Sequence, residues 1–371
     1  MTARHSADPV APAAAAARAT GAQALPPGAQ ALPPSEMRGA PILRPLGEQV
    51  VVVIGASSGI GRETAQRLAA RGAQLVLGAR ELAGLEAVVA ECRAAGADVE
   101  PVAVDVSRFA DVEAAAALAV SRFGRIDTWV QLAGVAVWSP FLDMTAEEFR
   151  QVVEVNLIGA ANGAKVALPH LLAAGGGALI EVSSVEAEVP VADQTAYAAS
   201  KHGMAGFLRA LRMEVQDDRL PIAVTQILPS SIDTPFFANA RTRLGVQPAP
   251  VGPVYDPSLV ADAIVHAAEH PSGDLRIGGA GIVMAALYKL APGLTGNVLR
   301  RVTRRQQRSD IPKSAVAPDN LMRPLGGPGA VRGSGTGRRF SVATWAQLHP
   351  RVVWTAAAGG LTVLLASRLR R

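Results

Sequence analysis

"QVVVVIGASSGIG", residues 49–61, decides the fold. Five branched aliphatic residues in succession, Val50 to Ile54, suit a strand buried on both faces. The run ends in Gly55, and Gly59 and Gly61 follow at the spacing G-x-x-x-G-x-G. The next stretch, "IGRETAQRLAARG", has helical periodicity and stops at Gly72. A glycine cluster by itself marks any turn. Between a buried parallel strand and a helix it lets a pyrophosphate approach bare backbone at a helix N-terminus.

The same alternation continues outward. "AQLVLGAR", "DVEPVAVDV", "IDTWVQLAG", "GALIEVSS", "PIAVTQILPS" and "DLRIGG" read as strands. Helical patterns separate them, including a long one from Thr145 to about Ala173 and one that carries Tyr197 and Lys201. Strands alternating with helices imply right-handed crossovers and a doubly wound parallel sheet, the α/β Rossmann fold. The pattern fills residues 48–280 as one domain.

The 371-residue chain flanks that domain with two segments of different composition. Residues 1–47 are rich in Ala, Pro and Gly and repeat "GAQALPP" in tandem, which predicts a disordered leader. Residues 281–371 form a basic extension. Its polar, Gly- and Pro-rich part, residues 300–345, is expected to be a solvated or membrane-facing tail. The last segment, residues 352–367, is uncharged and bracketed by Arg351 and Arg368. Sixteen residues rise about 24 Å, short of a hydrocarbon core of about 30 Å. Membrane contact, led by Val352, Trp354 and Leu361, or docking on the domain or on a partner subunit, would cover it.

Composition excludes several functions. The net charge is +5, but the surplus lies after residue 299 and no basic–aromatic pattern accompanies it, so nucleic acid is not an expected partner. The single cysteine, Cys92, rules out an internal disulfide and a cysteine-based zinc cluster. "HAAEH" spells His266-x-x-Glu269-His270, but Pro271 follows at once, so these are read as ordinary residues of a helix end and no metal is expected. No secretory signal opens the chain, which predicts a cytoplasmic protein.

One further stretch carries chemistry. "TAYAASKHG", residues 195–203, sets Tyr197 four positions before Lys201. On a helix the two share a face, and an ammonium beside a phenol lowers its pKa. "VNLIG" supplies Asn156, and "EVSSVEA" supplies Ser183 and Ser184, the latter thirteen residues before Tyr197. "LPSSIDTPFF" sets Thr234 five residues past Pro229. Taken in this order, the motifs resemble the short-chain dehydrogenase/reductase family over about residues 48–280.

The resemblance implies a catalytic set of Asn156, Ser184, Tyr197 and Lys201. Tyr197 would be the general acid or base, and Ser184 would hold the substrate oxygen. Lys201 would lower the phenol's pKa and bind the nicotinamide ribose, and Asn156 would hold a water linking Lys201 to solvent. The cofactor would lie along Gly55, Ser57, Ser58, Gly59, Ile60 and Gly61, then Arg80, Asp105, Val106, Ala133 and Gly134. Asn156, Tyr197, Lys201, Pro229, Ile232 and Thr234 would complete its site.

Arg80 ends the second strand, where an acidic residue would bind a ribose 2′-hydroxyl and an arginine suits a 2′-phosphate; NADP(H) is therefore preferred over NAD(H). Asp105 reads equally as an adenine contact or as a turn cap. Three residues depart from the family pattern: Ile54, Gln131 in "QLAG", and Ser230, with Gln131 expected to lose a bracing contact. The expected activity interconverts a carbonyl and a secondary alcohol, on a small-molecule substrate that is bulky and hydrophobic rather than small and polar, held by Val135 to Phe141, Val185 to Val191 and Pro235 to about Pro253. A homo-oligomer is expected. The alternatives are a non-catalytic dinucleotide-binding scaffold and a membrane-tethered interaction protein.

Overall fold

The valine run forms β1, Val50–Ile54, with every side chain buried, in a computed structural model that describes residues 39–353 apart from 42 and 334. Helix α1, Gly59–Ala69, leaves the glycine turn, and β2, Gln74–Ala79, returns beside β1 with Val52 level with Val76. Then come α2, Glu86–Ala94, β3, Val99–Ala103, α3, Phe109–Phe123, and β4, Thr128–Gln131. The long helix α4 runs from Ala146–Val153 through a π-turn at Glu154–Ile158 into Gly159–Ala173. Strand β5, Gly177–Val182, precedes α5, Thr195–Asp217, and β6, Ile222–Pro229, precedes α6, Ser258–Glu269, and β7, Asp274–Ile277.

All seven strands are parallel, in the order β7-β6-β5-β4-β1-β2-β3. The order reverses between β1 and β4, and a crevice opens there at the strands' carboxyl ends. Alternate strand residues feed two cores. Val51, Val53 and Ile180 face α1, α2 and α6, while Val50, Val52, Trp129 and Leu179 face α3, α4 and α5. This is the doubly wound fold the sequence predicts.

The boundaries differ from expectation at both ends. Leu46 is 2% exposed and its N–H donates to Glu269, while Arg44 pairs with Asp127 at 3.1 Å. Residues 43–48 therefore belong to the domain. The rest of the leader, residues 1–38, lies outside the described residues.

The expectation of a solvated tail over residues 300–345 is overturned. Helices α7, Gly279–Leu290, and α8, Pro292–Gln306, follow β7, and Arg308–Pro312 pairs antiparallel with Val246–Pro248. Helix α9, Val342–Leu348, docks on β7, where Gln347 exchanges hydrogen bonds with the Arg276 backbone at 3.0 and 2.7 Å. Glycine lets the chain between them lie flush on the domain: a Cβ on Gly329 would stand 2.4 Å from the Ser57 carbonyl, and one on Gly337 2.7 Å from the Asp256 nitrogen. The basic residues find carboxylates there, with Arg332 donating to both oxygens of Asp256 at 2.7 and 3.0 Å.

Of the uncharged segment, Val352 and Val353 are described; Trp354 and Leu361 lie outside the described residues. Among the described residues no helix is long and apolar enough to cross a membrane.

Candidate active site

The π-turn in α4 carries Asn156, which is 1% exposed. A π-turn widens a helix locally and turns a side chain out of register. Asn156 uses that freedom to clamp the loop after β4: its Oδ1 accepts from Val135 N and its Nδ2 donates to Val135 O, both at 2.9 Å. The amide also donates to Ser200 Oγ at 3.0 Å, which locks α4 to α5. Both amide N–H groups are thus taken up in bracing the loop and α5.

Ser184 leaves the end of β5, and its Oγ accepts from Glu186 N at 3.1 Å. Tyr197, 9% exposed, stands on the first turns of α5 and hydrogen-bonds to Ser184. One turn on, Lys201 places its Nζ 5.6 Å from the Tyr197 ring centre and donates to Val182 O at 3.2 Å. Ser184, Tyr197 and Lys201 therefore meet at the end of β5, as the resemblance implies, with Asn156 behind them.

The electrostatics differ from expectation. Burial, and secondly the neighbouring Glu186 carboxyl, push the Tyr197 phenol above its ordinary range, with the Ser184 hydrogen bond opposing them. The expected lowering by Lys201 is not found: the one opposing influence is Ser184. Burial lowers Lys201 itself to about 8, against the pull of Glu181 and Glu186. Burial also raises Glu186 to about 8, with Lys201 and Gln194 opposing. Its Oε2 has no hydrogen-bond partner. Glu186 falls within the Val185 to Val191 segment expected to hold substrate but was not singled out as a titrating group, although its place two positions after Ser184 was the available signal.

From this point a cleft of about 320 Å³ runs along the glycine turn to Arg80. Gly55 has φ +95°, and a Cβ on it would stand 2.7 Å from Ala133 N. A Cβ on Gly61 would meet Gly55 O at 2.0 Å, so only glycine closes this turn. Ser57, Ser58, Gly59, Ile60, Ala133, Gly134, Asp105, Val106, Pro229, Ile232 and Thr234 all border the cleft. A groove floored by bare backbone, with a cation at one end and a phenol and an ammonium at the other, fits a nicotinamide dinucleotide.

Arg80 lies in the wall, and its Nη2 donates to the Asn320 carbonyl at 2.7 Å. Asp105 Oδ1 accepts from Ser107 N and Oγ at 3.0 and 2.7 Å, the capping arrangement, while the residue still borders the cleft. Gln131 keeps a bracing role: it accepts from Trp129 Nε1 at 3.2 Å and donates to Gly159 O in α4 at 3.4 Å. Ser230 Oγ donates to Gly278 O at 3.3 Å, and Ile54 is simply buried.

At the Tyr197 end the cleft widens between Val135, Trp138, Val185, Val191, Phe236 and Phe237, within the segments expected to hold substrate. The extension adds Met284, Thr303 and Asn320, which no sequence pattern marked. His266 and His270 stack at 4.4 Å on α6, far from this cleft's lining. Among the described residues no group of three His, Cys, Asp or Glu could hold a metal.

Comparison with known proteins identifies the family. The short chain dehydrogenase family profile matches residues 49–245. The oxidoreductase YxnA of Bacillus subtilis is 36% identical over 274 residues, covering 73% of this chain and 77% of its own. Levodione reductase of Leifsonia aquatica is 38% identical over 200 residues, covering 53% of this chain and 74% of its own. A metagenomic short-chain oxidoreductase solved in complex with NADP superposes with a TM-score of 0.53 at 30% identity, over 63% of this chain and 98% of that one. With the profile covering more than half of the chain and the tyrosine–lysine pair set beside a dinucleotide cleft, the protein belongs to the short-chain dehydrogenase/reductase family, as an NAD(P)-dependent oxidoreductase acting on CH–OH groups.

Proposed function

We propose that the protein interconverts a hydrophobic ketone and its secondary alcohol with NADP(H), and that Tyr197 moves the proton. One observation carries this reading: a single cleft holds Ser184 and Tyr197 at its apolar end and Arg80 at the other. The cofactor, when bound, supplies or accepts the hydride. In reduction Tyr197 donates its phenolic proton to the carbonyl oxygen, and the high pKa that burial imposes keeps that proton in place until the oxygen gains charge. Ser184 donates a hydrogen bond to the same oxygen and fixes its position. Lys201 binds the nicotinamide ribose, and Asn156 holds the Val135 backbone that borders the substrate. Trp138, Phe236 and Phe237, with ring centres 5.6 to 5.8 Å apart, favour a bulky apolar substrate.

The choice of NADP rests on Arg80, with no carboxylate in "LVLGAR" to bind a ribose 2′-hydroxyl. The test couples a panel of cyclic and aryl ketones to nicotinamide absorbance, with NADPH and NADH in parallel. NADPH-dependent reduction of an apolar ketone is the expected result, and Arg80→Asp is expected to reduce the NADPH preference by about tenfold or more. Preference for NADH in the unmodified protein would overturn the cofactor assignment. Dinucleotide binding without turnover across the panel would overturn the activity.

A further inference from the structure

The extension reaches the cleft, with Asn320 in its lining. Residue 320 is the crossing point. Asn320 O accepts from Arg80 on one wall at 2.7 Å, and Asn320 N donates to Asn239 O on the other at 2.9 Å. Beside it, Asp319 pairs with Arg241 at 2.8 Å and Leu321 is fully buried in the core under α4 and α5. Residues 322–328, "MRPLGGP", are exposed and include Gly326 and Gly327 at positive φ. The chain then lands on the glycine turn. Gly59 N, at the start of α1, donates to Ala330 O at 2.8 Å, Arg62 donates to Gly329 O, and Arg332 is held by Asp256. Two anchored ends, one at Arg80 and one at the glycine turn, thus flank an exposed bridge.

We propose that residues 319–333 are a clasp on the dinucleotide cleft, which orients Arg80 for the cofactor and must unlatch for the cofactor to leave. The proposal rests on dinucleotide binding, and not on turnover. A carbonyl suits the first role. It fixes the guanidinium fork through one donor and leaves its charge and other donors to a phosphate, whereas a carboxylate there would neutralise the charge. The Asn320 side chain borders the cleft and its Oδ1, buried, has no hydrogen-bond partner, so it offers an acceptor to an adenosine hydroxyl or amine. The second role follows from the crossing itself. A ligand seated between Arg80 and the glycine turn lies beneath the bridge, and one of the two anchors has to open before it departs.

The test measures release of bound NADPH, and of NADH, by stopped-flow fluorescence in the full chain with no substrate present. Leu321→Ala loosens one anchor and Arg332→Ala, at the solvent-exposed edge, loosens the other. Both are expected to speed release of both dinucleotides by about tenfold. Leu321→Ala is also expected to narrow the NADPH preference, because Arg80 loses its orienting carbonyl. Hydrogen exchange of residues 322–330 in the unmodified protein is expected to slow when NADPH saturates it, which keeps the test independent of how well a variant folds. Release rates unchanged in Arg332→Ala, or exchange in residues 322–330 unaffected by NADPH, would overturn the clasp. Neither result bears on Tyr197, so failure of the clasp and failure of the proposed activity are separable.

Discussion

Glu186 sits two residues after Ser184, 8% exposed, in the wall of the cleft. Burial holds its carboxyl near 8, so at neutral pH it is largely protonated, and ionisation sets a negative charge against Tyr197. The folded chain therefore keeps a proton that the unfolded chain gives up near the ordinary carboxylate pKa of about 4.3. Stability falls as pH rises from there through about 8 and levels off beyond. Glu186→Gln is expected to flatten part of that slope between pH 5 and 8 in melting-temperature measurements; buried Glu181 shifts the same way and contributes to it. Carbonyl reduction is expected to decline above pH 8 as Glu186 ionises and Lys201 loses its proton, and Glu186→Gln to lessen that decline, since no carboxylate at that position then opposes charge near the phenol. An unaltered pH–rate profile would show that Glu186 does not reach the reacting atoms. Tyr197 and Lys201 were legible in the sequence because helical spacing puts them on one face. Their pKa directions were not, because they are set first by burial under segments distant in sequence and, for Tyr197, by the Glu186 carboxyl.

At the scale of elements, Glu188 joins three pieces of the fold. It accepts from Arg276 on β7 at 2.9 and 2.6 Å and from Lys289 on α7 at 3.0 Å, and so ties the loop after β5 to the start of the extension. The Arg276 hydrogen bonds hold its carboxyl at about 2 against burial, with Lys289 assisting. A depressed carboxylate contributes stability that is present above its unfolded pKa and is lost as pH falls through about 2. Arg276→Ala is expected to cost about 2 kcal/mol at neutral pH. The difference between variant and parent should shrink as pH falls from about 4.5 towards 2, as chemical denaturation would show. A difference constant over that range would mean that Arg276 acts through packing. The strands and helices of the sheet were readable from hydrophobic periodicity, since each buries a regular face. The π-turn at Asn156 was not, because the helical hydrophobic pattern runs through it and Gly159 at its end reads as an ordinary helix glycine.

The whole molecule adds an extension to a familiar domain. Residues 300–345 looked like a tail because they have few apolar residues and many glycines, prolines and arginines. Those same residues let the chain lie flush on the domain and pair with its carboxylates, an arrangement that periodicity does not encode. The fold and the chemistry lie within the part that the sequence made plain: a switch-point cleft, a glycine turn, and a phenol beside an ammonium. The central claim is that Tyr197 is the proton donor of this cleft, and Tyr197→Phe tests it most directly, because one oxygen is lost and the ring keeps its contact with Phe236. NADPH titration by fluorescence should give an unchanged affinity, and carbonyl reduction should fall by about two orders of magnitude or more. Turnover equal to the parent's at the same NADPH affinity would contradict the account.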